Sequence, residues 1–394
     1  MTEPQRTPKA DRLANFSSGP AVLPVEVLAD IQSDLLALPG VGSSILEISH
    51  RSPAFDRILE ETVADLRGLL GIGDSHEVLF LQGGASLQFS MVPMNLLRGT
   101  GRTADYLITG TWGATAIKEA RKEGAVHVAW DGAATGHDRL PARGEIHLST
   151  DPAYVYMTSN ETIQGVQWPA EPAVGSAPLV CDASSDFLSR PLDVSRYGVL
   201  YACAQKNAGI AGVTVVIIRR DLLGRCPDGL PAMLDYRTHV TGGSRANTPP
   251  VFAIYVLGKV CRWVRDAMGG LEGMARHNAA KAQLLYDVLD GSAGFYAGHA
   301  HPECRSMMNV TFRLPTEDLE KAFVAGAARR GLVELKGHRS VGGIRASIYN
   351  AMPLPAVVAL RDHMLEFQAA HGHPAAQGGQ TAQHPTAGAA ARGG

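Results

Sequence analysis

A lysine and an aspartate each follow a short apolar run that is typical of a buried strand. Lys206 comes after residues 199–203, in the segment Ala204-Gln-Lys-Asn, and Asp182 comes after residues 179–181. A lysine in such a crowded place can lose its proton and react with a carbonyl group as a Schiff-base lysine. Each residue alone has a plainer interpretation, since most lysines are exposed and an aspartate after a strand often caps a helix.

The two residues together match the chemistry of pyridoxal phosphate (PLP). Ligands of an open α/β sheet bind where the carboxyl ends of its strands meet, so Lys206 and Asp182 are expected to face one site. The lysine would hold the cofactor, and the carboxylate would keep the pyridine nitrogen protonated so that the ring can accept electrons. This pairing predicts PLP as the cofactor and makes Lys206 and Asp182 the candidate catalytic residues.

Three further segments follow predicted strands and suit other parts of such a cofactor. In Leu81-Gln-Gly-Gly-Ala-Ser, small residues open a helical pattern whose backbone N–H groups can cradle a phosphate. Trp112 follows another strand and can stack on a planar ring, although a tryptophan in the core is more common. Thr162, in Asn160-Glu-Thr, comes just past the predicted strand at residues 154–157. These positions are candidates for cofactor contacts.

Cationic residues cluster in two short polar segments. His50 and Arg51 are adjacent, and His338, Arg339 and Arg345 lie close together in the sequence. Arginine binds carboxylate and phosphate through paired hydrogen bonds, so these segments suit a substrate with several negative charges, although solvated surface charge fits each pair equally well. The chain holds 36 Lys+Arg and 38 Asp+Glu, a net charge of −2, and so lacks the basic excess that nucleic-acid binding needs. Such clusters would therefore act locally, on a small anion.

The order of predicted elements indicates the α/β class. Short β-branched or aromatic runs predict buried strands, and helical patterns lie between them, which is typical of a mostly parallel sheet. The predicted strands of this part are residues 78–81, 106–109, 154–157, 179–181, 199–203 and 213–218. From about residue 251 the pattern changes to long helices and a few strands, which predicts a smaller α+β domain.

Four regions are predicted: a polar arm at residues 1–13, a large cofactor-binding domain at 14–262, a small α+β domain at 263–371 and a disordered tail at 372–394. The tail holds too little apolar surface to offset the entropy cost of ordering it. No apolar run approaches the roughly 20 residues that span a bilayer, and the start lacks the apolar core of a signal peptide. The five scattered cysteines fit a reducing compartment and give no metal framework. We therefore expect a cytoplasmic enzyme that binds neither a metal nor a membrane.

With these residues considered, the chain resembles the phosphoserine aminotransferases, in the class V branch of the fold-type I PLP enzymes. The matching stretches follow the family's order from about residue 15 to residue 367. They are Asn15-Phe-Ser-Ser-Gly-Pro, Glu47-Ile-Ser-His-Arg-Ser, Phe80-Leu-Gln-Gly-Gly-Ala-Ser-Leu-Gln-Phe, Met91-Val-Pro-Met-Asn-Leu, Thr158-Ser-Asn-Glu-Thr-Ile, Ser184-Ser-Asp-Phe-Leu-Ser-Arg-Pro, Ala204-Gln-Lys-Asn, Asn247-Thr-Pro-Pro and Gly337-His-Arg-Ser-Val-Gly-Gly. Gln164 departs from the His or Asp that the family leads us to expect. The implied fold is a large domain with a mostly parallel, seven-stranded sheet and a smaller C-terminal α+β domain.

The resemblance also implies the contacts of the cofactor. Lys206 would be the lysine that binds PLP, and Asp182 would be the partner of the ring nitrogen. Trp112 would stack on the ring, and Thr162 would lie near the ring hydroxyl. The residues implied at the cofactor phosphate are Ala85, Ser86 and Gln205, with Asn247 and Thr248 contributed by the neighbouring subunit of a homodimer.

The implied substrates are small anions. Arg345 would bind the α-carboxylate of the substrate. The residues that would surround the substrate phosphate, some of them across the subunit interface, are His50, Arg51, His338 and Arg339. The implied reaction is the reversible transfer of an amino group from L-glutamate to 3-phosphohydroxypyruvate, which gives O-phospho-L-serine and 2-oxoglutarate in serine biosynthesis. A phosphorylated four-carbon oxo acid of pyridoxine biosynthesis is a second expected substrate.

Alternative functions remain open at this point. The first is a PLP-dependent paralogue that acts on a different phosphorylated or phosphonate oxo acid. A nucleotide-binding protein is less well supported, because the chain has no G-x-x-x-x-G-K-[ST] segment and no G-x-G-x-x-G after its first strand. A cysteine desulfurase would need a reactive cysteine on a mobile loop, whereas Cys181 and Cys203 fall within predicted strands.

Overall fold

The computed structural model describes residues 12–372, so almost all of the predicted arm and tail lies outside the described residues. The strands within this range are β1 (Ala14–Asn15), β2 (His76–Leu81), β3 (Thr103–Ile108), β4 (Ala125–Asp131), β5 (Tyr154–Thr158), β6 (Asn160–Glu161), β7 (Val166–Gln167), β8 (Leu179–Asp182), β9 (Tyr197–Cys203), β10 (Thr214–Arg219), β11 (Ala297–Gly298), β12 (Asn309–Arg313), β13 (Leu332–Val333) and β14 (Ile344–Ser347). The α-helices are α1 (Val25–Asp34), α2 (Pro53–Leu70), α3 (Gly84–Leu96), α4 (Thr111–Ala120), α5 (Tyr236–Thr241), α6 (Val251–Asp266), α7 (Gly270–Gly291), α8 (Glu317–Arg329) and α9 (Leu354–His371). Among residues 12–372, no helix combines the length and the hydropathy that a bilayer-spanning helix needs.

A seven-stranded sheet forms the centre of the chain, in the order β2-β10-β9-β8-β5-β3-β4. Strand β10 runs antiparallel to both of its neighbours, and the other neighbouring strands are parallel. The predicted α/β fold with a mostly parallel sheet is therefore confirmed. Sequence reasoning did not predict the edge strand β4, which is largely half-exposed and therefore carries no continuous apolar run.

Helices cover both faces of this sheet. One face packs against α2, α6 and α7 through residues such as Phe55 and Ile254, and the other packs against α3 and α4 through Val92 and Ile117. Burying one such side chain contributes about 1.5–3 kcal/mol. Because both faces are covered, strands β5 and β9 are buried along their whole length, which explains their continuous apolar runs.

The C-terminal part has a smaller antiparallel sheet, in the order β11-β12-β14, with its own core. The N-terminal strand β1 pairs in parallel with β13, and Phe16 belongs to this C-terminal core. The first described residues therefore pack with the C-terminal part, while the domain boundary at residue 262 stays a prediction.

Candidate active site

The candidate catalytic pair lies at the carboxyl edge of the central sheet. Asp182 is the last residue of β8, and Lys206 follows the neighbouring strand β9. The Nζ atom of Lys206 donates a hydrogen bond to Oγ1 of Thr162 at 2.9 Å and lies 5.7 Å from the ring centre of Trp112. The structure thus brings four of the residues singled out in the sequence to one place.

Asp182 is buried beside a positive charge. Burial raises the pKa of Asp182, while hydrogen bonds from Ser184 and the charge of Lys206 act in the opposite direction. The backbone N–H of Ser184 donates to Oδ1 of Asp182 at 2.9 Å. A carboxylate held in this way needs a cationic partner, and a protonated ring nitrogen would be one.

The start of α3 can bind an anion. Gly83 and Gly84, which lie between β2 and this helix, have φ values of +90° and +67°. A Cβ atom on Gly83 would lie 2.5 Å from a methyl carbon of Leu87, so this tight turn requires glycine. No side chain caps the start of α3. The N–H of Ala85 donates to Sγ of Cys203 at 3.2 Å, so the first turn of α3, which holds Ala85 and Ser86, lies against the end of β9, and the N-terminal end of a helix favours an anion.

An N-terminal segment that sequence reasoning did not assign to the site joins Arg345 to Lys206. Nη2 of Arg345 donates to Oγ of Ser18 at 2.8 Å. A Cβ atom on Gly19 would lie 3.5 Å from Cγ of Lys206, and the N–H of Ala21 donates to the carbonyl of Gln205 at 2.9 Å. The segment carries no titratable side chain, so its chemistry does not mark it as part of the site. Only its position in a stretch that matches the family could have indicated that it lies there.

Three cationic residues of the C-terminal part lie near one another. Arg345 is on β14, while the exposed residues His338 and Arg339 lie in the loop that precedes it. Partial burial and the charges of Arg345 and Arg339 lower the pKa of His338, so both arginines act on this imidazole. This arrangement can attract an anion that carries more than one negative charge.

Four predicted site residues lie elsewhere on the chain. Nε of Arg51 donates to Nε2 of His50 at 3.3 Å, just before α2 begins. Asn247 and Thr248 are exposed in the segment before α6, where Nδ2 of Asn247 donates to the Gln82 side chain at 3.0 Å. Within residues 12–372, no hydrogen bond or ion pair joins these four side chains to Lys206. The contribution of Asn247 and Thr248 to the neighbouring subunit's site stays a prediction, as does the place of His50 and Arg51 at the substrate phosphate.

Lys281 is a fully buried lysine that supports this site from α7. Its Nζ atom donates to the backbone carbonyls of Ile348 and Tyr349 at 2.8 and 2.6 Å. The same segment follows β14, and the N–H of Asn350 donates to the side chain of Asn207 at 2.9 Å. Because Asn207 is the residue after Lys206, Lys281 stabilises the segment that joins β14, the strand of Arg345, to the neighbourhood of Lys206.

We expect Lys281→Met to lower the free energy of unfolding by about 2–4 kcal/mol, because buried carbonyl groups lose their donor. Burial lowers the pKa of Lys281 to about 7. Between pH 7 and the ordinary pKa of a lysine, this side chain is therefore neutral in the folded chain and protonated in the unfolded chain. The contribution of Lys281 to stability should therefore grow as the pH rises from 7 toward 10 and level off below pH 7, where the folded and unfolded chains are both protonated at this side chain. Denaturant midpoints across this range measure both effects, with Lys118→Met on the exposed face of α4 as control. Equal midpoints for the two variants would contradict this role.

These residues fit PLP in chemistry and arrangement. Lys206 supplies an amine, Asp182 a buried carboxylate and Trp112 an aromatic face, while the N-terminal end of α3 has no side-chain cap from its N-cap residue Gly83 and suits a phosphate. The indole N–H of Trp112 is buried and has no partner among the described residues, so a bound group can accept from it. Each part of the cofactor thus has a matching group at this edge of the sheet.

Comparisons with known proteins agree with the site. The chain matches the class V aminotransferase family over residues 13–360. The phosphoserine aminotransferase of Rhodopirellula baltica is 55% identical over 358 residues, which cover 91% of this chain and 95% of that protein. The solved phosphoserine aminotransferase from Bacillus circulans subsp. alkalophilus has a TM-score of 0.90 at 48% identity, over 92% of this chain and 100% of that one. A PLP-bound phosphoserine aminotransferase from Trichomonas vaginalis has a TM-score of 0.85 at 40% identity, over 90% and 100% of the two chains. The resemblance is confirmed, and the chain belongs to the class V aminotransferase family, in its phosphoserine aminotransferase group.

Proposed function

We propose that this chain is a PLP-dependent aminotransferase that transfers the amino group of L-glutamate to 3-phosphohydroxypyruvate, giving O-phospho-L-serine and 2-oxoglutarate. The observation that carries the proposal is the single sheet edge at which Lys206, Asp182 and Trp112 meet. Relatives that are 55% and 48% identical to this chain bear the name of this activity. The phosphorylated four-carbon oxo acid of pyridoxine biosynthesis is a second acceptor in this proposal.

The residues at this edge would divide the work between them. PLP, when bound, supplies an aldehyde for amino groups and a ring that accepts the electron pair left on a substrate carbon. Lys206 would hold the cofactor and, once its amine is free, would move the proton of the substrate Cα. Thr162 orients that amine through its 2.9 Å hydrogen bond. Asp182 would keep the ring nitrogen protonated, because a buried carboxylate favours a cation beside it.

The cationic residues would bind the two ends of the substrate. Arg345 would take the α-carboxylate, and the loop with His338 and Arg339 would take the phosphate. In a cytoplasmic homodimer, the partner chain would complete the site with its own polar segments. The residues we propose to act across that interface are His50, Arg51, Asn247 and Thr248.

The phosphate assignment predicts an uneven effect of Arg339→Ala. We expect the KM for 3-phosphohydroxypyruvate to rise about tenfold or more, since a charge-assisted hydrogen bond is lost. The KM for glutamate, which has no phosphate, should change less than twofold. Steady-state kinetics with each substrate varied in turn measure both values. Arg329→Ala, an exposed arginine in the last turn of α8, is the matched control. An equal rise in both KM values would place Arg339 away from the phosphate.

A further inference from the structure

Helix α4 carries the stacking ring but does not cap its own start. Trp112 is the second residue of this helix, and the residue at the N-cap is Gly110, which has no side chain to accept a hydrogen bond. The first N–H groups of any helix lack partners within the helix and need acceptors from elsewhere. The orientation of Trp112 therefore depends on whatever supplies those acceptors.

Two side chains from another segment supply them. The carboxylate of Glu161 accepts from the N–H groups of Trp112 and Gly113, each at 3.0 Å. The side-chain oxygen of Gln164 accepts from the N–H of Thr111 at 3.3 Å, and its amide nitrogen donates to the hydroxyl of Thr111 at 2.8 Å. Three consecutive N–H groups of α4 are thus held by one turn of the chain.

The contact is tight and the turn is firmly held. A Cβ atom on Gly110 would lie 2.6 Å from Cδ of Glu161, and Glu161 itself is 0% exposed. The turn closes through the N–H of Gly165, which donates to the carbonyl of Glu161 at 2.8 Å. On its other side the turn is anchored to β12, because the hydroxyl of Thr311 donates to the carbonyl of Gln164 at 2.8 Å.

The same turn also contacts the catalytic amine. Thr162 directly follows Glu161 and accepts the hydrogen bond of Lys206. Burial raises the pKa of Glu161 to about 7, while the two N–H groups and the charge of Lys206 act against that rise and the charge of Asp182 adds to it. Glu161 is therefore joined to Trp112 by hydrogen bonds and to the catalytic pair by charge.

We propose that Glu161 is a positioning residue that sets the ring face of Trp112 relative to Lys206. The inference rests on the proposed function, since the ring has a stacking role only with a planar cofactor. Without the carboxylate, two N–H groups would be left unpaired in a buried place, and the first turn of α4 would shift together with the ring. Gln164, which departs from the residue expected in the family, would support Thr111 in the same way.

The test is a double-mutant cycle on the full-length protein. Glu161→Gln keeps the shape of the side chain but turns an N–H group toward one of the two donors. We expect it to raise the Kd for PLP about tenfold, measured by visible absorbance on cofactor-free protein, and to reduce the visible circular dichroism of the bound cofactor. In a Trp112→Ala background the same substitution should change that Kd less than twofold, because its effect runs through the ring. Glu171→Gln, which alters a half-buried carboxylate bonded to Tyr197, is the control.

A second variant keeps the test independent of folding problems. Gly110→Ala retains the carboxylate but would push it away from the helix start, so it should weaken PLP binding in the same way. Equal effects of Glu161→Gln with and without Trp112, or no effect of either variant on the Kd, would overturn the positioning role. If the wild-type protein binds no PLP at all, the proposed function fails. That outcome is distinct from the one in which PLP binds but the effect of Glu161→Gln does not depend on Trp112.

Discussion

Replacing Lys206 with alanine is expected to lower kcat by at least about 10⁴-fold. The substitution removes both the amine that would hold the cofactor and the group that would move the substrate proton, and no other lysine contacts Thr162 and Trp112 within residues 12–372. Amino-transfer assays with glutamate and 3-phosphohydroxypyruvate measure the loss. Borohydride reduction followed by mass spectrometry provides a second measurement, because PLP should become fixed to the peptide that contains residue 206 in the wild type only.

The matched control for this substitution is Lys321→Ala. Lys321 lies on the exposed face of α8, where its ion pair is with Asp318 alone. We expect this variant to keep the wild-type kcat and the wild-type cofactor attachment. Turnover above one hundredth of the wild-type value in Lys206→Ala, with PLP still fixed to the chain by borohydride, would contradict the role of Lys206.

Asp182→Asn is expected to lower kcat on the order of 10³-fold. An amide has nearly the shape of the carboxylate and can still accept from the N–H of Ser184, but it has no charge with which to stabilise a protonated ring nitrogen. The loss should therefore fall on kcat far more than on the KM for either substrate. Steady-state kinetics on protein saturated with PLP separate the two quantities.

Asp186→Asn is the control for the loss of a buried carboxylate near this site. Asp186 accepts a hydrogen bond from Gln167 at 3.0 Å and one from Ser159, so its replacement should lower thermal stability while kcat changes less than tenfold. If Asp182→Asn also kept kcat within tenfold of the wild type, the proposed interaction with the ring nitrogen would be wrong.

Sequence reasoning predicted the parts of the site that depend on strand ends. Buried strands such as β8 and β9 appear as continuous apolar runs, and whatever follows such a run must lie at one edge of the sheet. For this reason Lys206 and Asp182 could be placed near each other before any contact was known. The fold class followed from the same runs, whereas the half-exposed strand β4 gave no such run and was not predicted.

Contacts between distant segments could not be predicted in this way. Glu161 lies in the segment Thr158-Ser-Asn-Glu-Thr-Ile, but nothing local shows that its carboxylate accepts from the start of α4, 48 and 49 residues away. Ser18 is an unremarkable serine until its contact with Arg345 is seen. Lys281 looks like any helical lysine, and only the packing of α7 against the segment after β14 shows that it is buried. Such roles arise from tertiary contacts between distant segments, and these contacts leave no periodic pattern in the sequence.

The preferred amino acceptor distinguishes the proposed reaction from that of a paralogue with another substrate. With glutamate as donor, kcat/KM should be measured for 3-phosphohydroxypyruvate, the phosphorylated four-carbon oxo acid, a phosphonate oxo acid and unphosphorylated hydroxypyruvate. We expect 3-phosphohydroxypyruvate to be the best acceptor and to exceed hydroxypyruvate by at least about 10²-fold, because a site with several cationic groups loses its charged partners when the phosphate is missing. A higher kcat/KM for the phosphonate or for hydroxypyruvate would contradict the account and assign the chain to another substrate.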